Sequence, residues 1–467
     1  MSHLSVSEAA LRRVLGVLLS VERGARGRAG PKEANVEALQ RATRLARGTV
    51  HNALSYLAPV LQQRSYRPQH SVGGRGGKPT ILHKIAPKAA EALVLQFEHD
   101  RVAIFSADAA GSLSRLGIKQ VDVDRDPESA IEEACKRIAQ LDEKGLVYWE
   151  RIVGFGVSIP APVDPDTQRV IGGVLPAWEA IDVAGLISEH LGAKVADLPV
   201  IADNDGNLAT LAEYRYGERV DLDAANLFFV KTVPGAIGIG AGAVIHGRPL
   251  RGGGLAMEFG HLPVDTSYRP LVREFPCPHC QRKNCLQARL STQALIPKPT
   301  SGSQDCQVDL ETPWETVVER ALSSVVSLNA GRHAAVEGGD VKAVTEADTR
   351  MNALRRDPDL EAIVFAAQEM GRALAKVVTL IDPEIITIGG PLGSAWLGTG
   401  PRSLSSAIGD PLRESLWEHV PLSQARTICL REATVTDESA RGAAAAVFDE
   451  HLIKFLLDRA AALASGV

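Results

Sequence analysis

The sequence predicts an α/β protein with a winged helix-turn-helix at its N-terminus. Three observations carry that prediction. The first is charge: the 467-residue chain has a formal net charge of −5, but residues 1–88 hold 15 Lys or Arg against 4 Asp or Glu. That leaves +11 on this arm and −16 on the remainder, a basic polyanion reader joined to an acidic body. The second is two short helices joined by a tight turn, followed by a glycine-rich basic segment. The third is an alternation of β-branched apolar runs with helical stretches from about residue 90 onward.

In the arm, Leu11, Val14, Leu15 and Leu18 recur at helical spacing and predict an amphipathic helix over residues 10–20. A Gly/Arg-rich stretch, Gly24 to Gly30, follows. Pro31 is expected to open a second helix carrying Val36, Leu39 and Ala42 inward. The turn Thr43-Arg44-Leu45 leads to a third helix with Val50, Ala53, Leu54 and Leu57 on one face. Its other face presents Arg47, Thr49, His51 and Asn52. A helix enters the major groove when its rear is anchored to a small core, leaving such polar side chains for bases and phosphates. Next come Arg64, Arg67 and the run Gly73-Gly74-Arg75-Gly76-Gly77-Lys78-Pro79, then the strand-like Thr80-Ile81-Leu82. The glycines let a backbone approach a narrow groove, where Arg75 and Lys78 meet negative potential. The plain alternative is a three-helix subdomain with a flexible linker; the +11 balance and the wing favour DNA.

In the body, strands are expected at Val102–Phe105, Ile152–Ile159, Val200–Ala202, Leu227–Val230, Ala243–Ile245 and Ile385–Ile388. Helices are expected at 128–141, 207–216 and 361–381. The last carries one apolar stripe from Ile363 through Met370 and Leu374 to Ile381. Pro297–Gln307 reads as a surface loop and 337–360 as a solvated charged stretch. No apolar run reaches the length of a membrane span, and no signal-peptide pattern opens the chain. A cytoplasmic protein is expected. Its six cysteines do not make a disulfide scaffold, since three crowd together as Cys277, Cys280 and Cys285.

Four constellations carry chemistry. Asp203-Asn204-Asp205 stands at a strand end before a helix, where open α/β sheets present ligand contacts. Asp205 is placed to accept a proton or hydrogen bond from a sugar hydroxyl, with Asn204 orienting it; helix N-capping explains one of these residues but hardly all. Glu258-Phe259-Gly260-His261 precedes the three cysteines, and His261 with Cys277, Cys280 and Cys285 makes the donor set of structural zinc. His279, inside the cysteine loop, competes as the fourth ligand. Gly235 to Gly242 and Ile388-Gly389-Gly390-Pro391 are glycine-rich turns suited either to phosphate or to close strand packing.

Taken in order, these residues resemble the ROK family, which groups sugar kinases with transcriptional regulators on one scaffold. The resemblance spans nearly the whole chain. It adds Val157 to Asp164, Leu175-Pro176-Ala177-Trp178 and Glu438 to Gly442 to the motifs above. It implies two actin-like (ribonuclease H-like) lobes with a ligand between them. The implied organisation is a winged helix-turn-helix at 1–88, a first lobe at 89–205 completed by a C-terminal helix at 450–467, and a second lobe with a zinc loop at 206–449. It also implies that Asn204, Asp205, Glu258, His261 and Gln287 contact a sugar, Asp205 matching the kinases' general base. The metal set His261, Cys277, Cys280 and Cys285 is implied again.

The sequence departs from the kinase pattern where an Asp-x-Gly-Gly-Thr-like phosphate loop should follow the first strand. Here stand Leu95-Gln96-Phe97-Glu98-His99-Asp100-Arg101, without glycine or threonine and with two acids to repel phosphate. Phosphoryl transfer rests on positioning and charge stabilisation, so kinase activity is expected to be lost and Asp205 to be vestigial as a base. Gln287 replaces the family's sugar-binding Glu, Ala161 and Ala177 replace glycines, and the cluster opens Cys-x2-Cys rather than Cys-x-Cys. Arg44 and Ala46 replace a turn glycine and a serine N-cap. The leading expectation is a non-enzymatic regulator, most often a repressor in this family. It would be a homodimer or homotetramer on a palindromic operator, with DNA affinity set by a sugar or sugar derivative. The alternatives are an active ATP-dependent sugar kinase with a DNA-binding domain, and a regulator that answers to a protein partner.

Overall fold

The computed structural model describes all residues except 1–5, 20, 24–28, 32, 68–78, 219–225, 234–237, 266–273, 296–311, 355, 400–403, 422–427 and 466–467. Contacts divide the chain into two compact units. The first comprises Met1–Leu222, Gly253–Leu255 and Val435–Val467; the second comprises Asp223–Gly252 and Ala256–Thr434. Among the described residues no helix is long and apolar enough to cross a membrane.

The arm opens with helix Glu8–Leu19, which buries Leu11, Val14, Leu15 and Leu18 as its periodicity dictates. The second helix is Val36–Thr43, later than the proline suggested. Asn35 rather than Pro31 starts it, because its side chain accepts the Ala38 N–H at 2.8 Å. Pro31 instead ends a short strand, Ala29–Pro31, antiparallel to Val21–Arg23. Ala42 is exposed; the inward place falls to Thr43, whose hydroxyl donates to Leu39 O at 2.6 Å. Arg44 takes the left-handed conformation at φ 57° that the family's glycine would adopt freely. The third helix, Arg47–Tyr56, starts from Ala46 without a side-chain cap. The wing strands Leu61–Tyr66 and Thr80–Ile85 pair antiparallel, and His83 bridges to Ala34.

The first unit's main sheet runs in the order Leu113–Gln120, Arg101–Asp108, Glu91–Glu98, Ile152–Ile159, Val200–Asn204. Its first three strands are antiparallel and the last two join in parallel. Helix Pro127–Glu143 supplies the crossover that the parallel connection needs. The second unit repeats this arrangement with Arg248–Pro249, Ile239–Ile245, Leu227–Thr232, Ile385–Gly389 and Cys429–Glu432. Again three successive strands are antiparallel and two are parallel. Two copies of one strand order are what the ribonuclease H-like lobes require. The second unit's core gathers Phe228, Val230, Ile386 and Ile388 from its sheet with Ile363, Met370 and Leu374 from helix Pro358–Ile381.

The unit boundary falls at 222/223 rather than 205/206, and the C-terminal contribution starts at 435 rather than 450. The reason is packing between helix Asp205–Tyr216 and the closing helix Glu438–Ser465. Gly442 allows the contact, since any Cβ there would lie 1.8 Å from Leu208 O. Nor does the arm stand apart. Leu15, Leu18, Leu54 and Leu57 share one apolar cluster with Val94, Phe105, Leu452 and Leu456.

Candidate functional site

The third helix of the arm carries Arg47 and His51 exposed, with Thr49 and Asn52 half-buried. Arg75 and Lys78 lie outside the described residues. At the base of the wing, Arg64 and Lys84 both pair with Glu33. The Arg64 hydrogen bond holds the Glu33 carboxyl below its ordinary range. One residue was not anticipated from the sequence. His83, on the second wing strand, is buried, and its Nδ1 has no hydrogen-bond partner among the described residues. Burial keeps it neutral to lower pH than usual, and His51 adds to the effect.

Strand Val200–Asn204 ends at the acidic cluster. Asn204 caps the following helix, accepting the Gly206 and Asn207 N–H groups at 2.9 and 3.4 Å. Asp203 is buried and accepts from Asn207 Nδ2 at 2.9 Å and from Asn204 N at 2.8 Å. Capping and turn chemistry thus account for Asp203 and Asn204. Asp205 is the helix's first residue and half-buried. There the N-terminal end of the helix dipole favours a negative group. Its carbonyl accepts from Ser439 Oγ of the closing helix at 3.1 Å.

Where the kinase pattern would place a phosphate loop, the chain continues in strand. Leu95 to Glu98 remain in strand, and Glu98 pairs directly with Arg101 across a two-residue turn of His99 and Asp100. Glu98 accepts from Gln96 Nε2 at 3.0 Å and forms an ion pair with Arg101. His99 reaches Asp124 at 2.9 Å. The turn is closed by side chains and offers no nest of glycine N–H groups.

In the second unit, His261, Cys277, Cys280 and Cys285 each offer one donor atom, and these atoms all lie within 4.8 Å of one another. These four could hold a metal ion. His279 is outside this set; its ring centre lies 5.9 Å from that of His261. His261 closes a turn, Phe259–His261, with Nδ1 3.7 Å from Cys277 Sγ and Nε2 3.8 Å from Glu258 Oε2. Burial lowers the His261 pKa, as do the nearby His279 and Arg282. Burial raises the thiols of Cys277 and of Cys285, the latter to about 12. At Cys280 burial also opposes ionisation, but the Arg282 N–H and the adjoining thiols outweigh it. Thiols this close and this buried ionise together only beside a cation, which suits a soft divalent metal. Gln287 is buried; its Oε1 accepts from Ile239 N at 3.4 Å and its amide faces Cys277 Sγ at 3.8 Å. Gly260 is fixed by this arrangement, because a Cβ there would come within 2.4 Å of Ile239 O.

The ROK family profile matches residues 108–449. The chain belongs to the ROK family. This ROK protein is 22% identical over 338 residues to the xylose repressor of Caldicellulosiruptor bescii, across 72% of this chain and 75% of that one. It is 26% identical over 245 residues to the glucokinase of Halalkalibacterium halodurans, across 52% of this chain and 63% of that one. Among solved structures it is similar to a ROK family transcriptional regulator described as a homolog of the E. coli MLC protein. That match has a TM-score of 0.62 at 18% identity and covers 97% of this chain and 98% of the other. Kinases and repressors of the family therefore both stand among its relatives.

Proposed function

We propose that this ROK protein is a DNA-binding transcriptional regulator, a repressor whose operator affinity responds to a sugar or sugar derivative. The observation that carries the proposal is the arm. A winged helix-turn-helix shares one apolar cluster with the closing helix, and Ser439 in the first turn of that helix donates to the Asp205 carbonyl. Similarity to a xylose repressor, and to a regulator fold along nearly its whole length, supports the same reading. Arg47, Thr49, His51 and Asn52 would meet the major groove, with Arg75 and Lys78 on the wing. Asn204, Asp205, Glu258, His261 and Gln287 form the proposed effector set. The oligomer is a homodimer or homotetramer on a palindromic operator.

His261, Cys277, Cys280 and Cys285 would hold zinc. With four protein donors the ion supplies a structural cross-link and no open coordination position. Glu258, facing His261 Nε2, would orient the imidazole toward the metal. Kinase activity is absent in this reading, because a two-residue turn closed by Glu98 and Arg101 stands where phosphate would be cradled.

The test is a mobility-shift titration of the full-length protein on upstream DNA fragments, with and without effectors. Those effectors come from a thermal-shift screen of sugars, sugar phosphates and amino sugars. Sugar-sensitive, sequence-selective binding supports the proposal. Asp205 at the helix start keeps a second reading open, an ATP-dependent sugar kinase. Hexose phosphorylation that disappears in Asp205→Asn would establish that reading instead.

A further inference from the structure

We propose that Glu369 and Lys376, on helix Pro358–Ile381, are positioning residues that hold the zinc loop in its ligating geometry. The inference rests on the zinc reading above. Helix Leu286–Arg289 is only four residues long, and a single turn has little stability of its own. It nevertheless carries much of the site. Cys285 precedes it and caps it through Sγ, which accepts the Ala288 N–H at 3.4 Å. Gln287 sits within it and faces Cys277. Its last residue, Arg289, is 1% exposed, a rare position for a guanidinium.

Arg289 Nε lies 3.5 Å from Glu369 Oε2, and its guanidinium stands 5.5 Å from the Phe365 ring centre on the same long helix. Glu369 is fully buried and also pairs with Arg372. A buried pair of this kind carries a large desolvation cost, and apolar residues of equal size commonly stabilise as well. Stability alone is therefore a poor reason for the pair; fixing a geometry is a better one. Two turns on, Lys376 Nζ donates to Pro263 O at 2.9 Å. Pro263 bridges to Cys285, flanked by Val264 N to Asn284 O at 2.8 Å and Leu286 N to Leu262 O at 3.0 Å. It also stands two residues after His261. One helix thus grips both chain segments at the base of the metal loop, Arg289 through Glu369 and Pro263 through Lys376. A cavity of about 520 Å³ lies on this flank, lined by Val264, Asp265, Arg372, Ala373 and Lys376 among others. These polar links run beside apolar packing, since Val264, Leu286 and Leu290 share one buried cluster with Phe365, Ala366 and Met370 of the same helix.

The experiment uses the zinc-loaded full chain and reads two quantities. One is the rate of zinc transfer to the chelator 4-(2-pyridylazo)resorcinol; the other is the visible absorption of the cobalt(II)-substituted protein. Loss of a partner bonded directly to a ligand weakens metal retention about 10–100-fold, and residues that act one step further out should reach the lower end of that range. Glu369→Gln and Lys376→Gln should each accelerate transfer by at least the lower figure and alter the cobalt–thiolate bands. Glu369→Asp, which keeps the charge, should recover part of the loss. Because Glu369→Gln leaves Arg289 buried without its carboxylate, the double variant Arg289→Met with Glu369→Met removes both charges and protects the fold. Faster zinc transfer and altered cobalt bands in the double variant, at unchanged melting temperature, support positioning. Wild-type transfer and wild-type bands in that variant overturn it while leaving the metal reading intact. A wild-type protein that binds neither zinc nor cobalt overturns both.

Discussion

Replacing Gly442 by alanine sets two well-characterised effects against each other. Gly442 lies inside the closing helix Glu438–Ser465, where helix propensity alone predicts that alanine stabilises by about 1 kcal/mol. Packing predicts the reverse. A Cβ at this position would stand 1.8 Å from Leu208 O and 2.3 Å from Leu208 C, against a closest ordinary approach of 3.0 Å. The helices must therefore part by about 1.2 Å, or both must distort, because the obstructing atoms are backbone and cannot rotate aside. Overpacking of this kind costs about 1–3 kcal/mol, and a rigid obstacle places the cost at the upper end. The net loss is then about 2 kcal/mol, which lowers the melting temperature of a unit this size by about 4–8 °C. Calorimetry of the full chain measures the transition. The control is Gly16→Ala in helix Glu8–Leu19, where no atom lies within 4 Å of the added methyl. It should raise stability by about 0.5–1 kcal/mol. If both substitutions move the melting temperature upward, the close approach of the two helices is refuted.

Three further outcomes are expected. Arg47→Ala should weaken operator binding and reduce the salt slope of log K by about one, read by fluorescence anisotropy at several salt concentrations; an unchanged slope would remove Arg47 from the phosphate contacts. Cys285→Ser should abolish stoichiometric zinc, measured by atomic emission, and lower the melting temperature of the second unit, since the thiol is both donor and helix cap. His83 is held neutral by burial, with His51 adding to the effect, so the unfolded arm takes up a proton near the ordinary value of 6.5 before the folded arm does. Arm stability is therefore full above pH 6.5, falls as the pH drops below it, and levels off beneath the folded-state pKa. His83→Gln should flatten that slope in circular dichroism melts between about pH 5 and 7.

Local chemistry was largely legible from the residues. Helical spacing placed the first and third helices of the arm, β-branched runs placed six of the body's strands but not Leu113–Gln120 or Cys429–Glu432, and Arg44 marked its own left-handed turn. The structure departs from the local signals where two of them compete. Pro31 is a good first helical residue, but Asn35 offers a side-chain acceptor and wins. Strand Glu91–Glu98 gives a weak local signal because the half-buried polar residues Gln96 and Glu98 stand at its end, a composition that resembles a loop. Features that join distant positions left almost no local trace. The contact of Gly442 with Leu208 spans the chain, and nothing near Gly442 announces it. The choice of His261 over His279 is likewise geometric, since both have suitable spacing. The Arg289–Glu369 pair did leave one sign: Glu369 interrupts an apolar stripe between Ala366 and Met370, where a charge must find a partner.

Within the proposed function, the two sheets explain how recognition can outlast catalysis on one scaffold. Each lobe starts from the same strand order, so its first hairpin presents a turn at the same place in the topology. In the first unit that turn is closed by Glu98 and Arg101 and carries no glycine. Phosphoryl transfer needs the phosphates held and their charge offset on every side, so one closed turn disables the reaction wherever the base stands. The proposed sugar contacts depend on other elements. Asn204 and Asp205 are fixed by the end of strand Val200–Asn204 and its helix cap, and Glu258, His261 and Gln287 by the metal loop and Ile239. None of these supports passes through the altered turn. Reopening it with a glycine-rich loop should therefore leave effector affinity within a few-fold of wild type, measured by calorimetric titration, because binding and transition-state stabilisation are separate terms. A large loss of effector affinity on that graft would show that the turn itself belongs to the sensor.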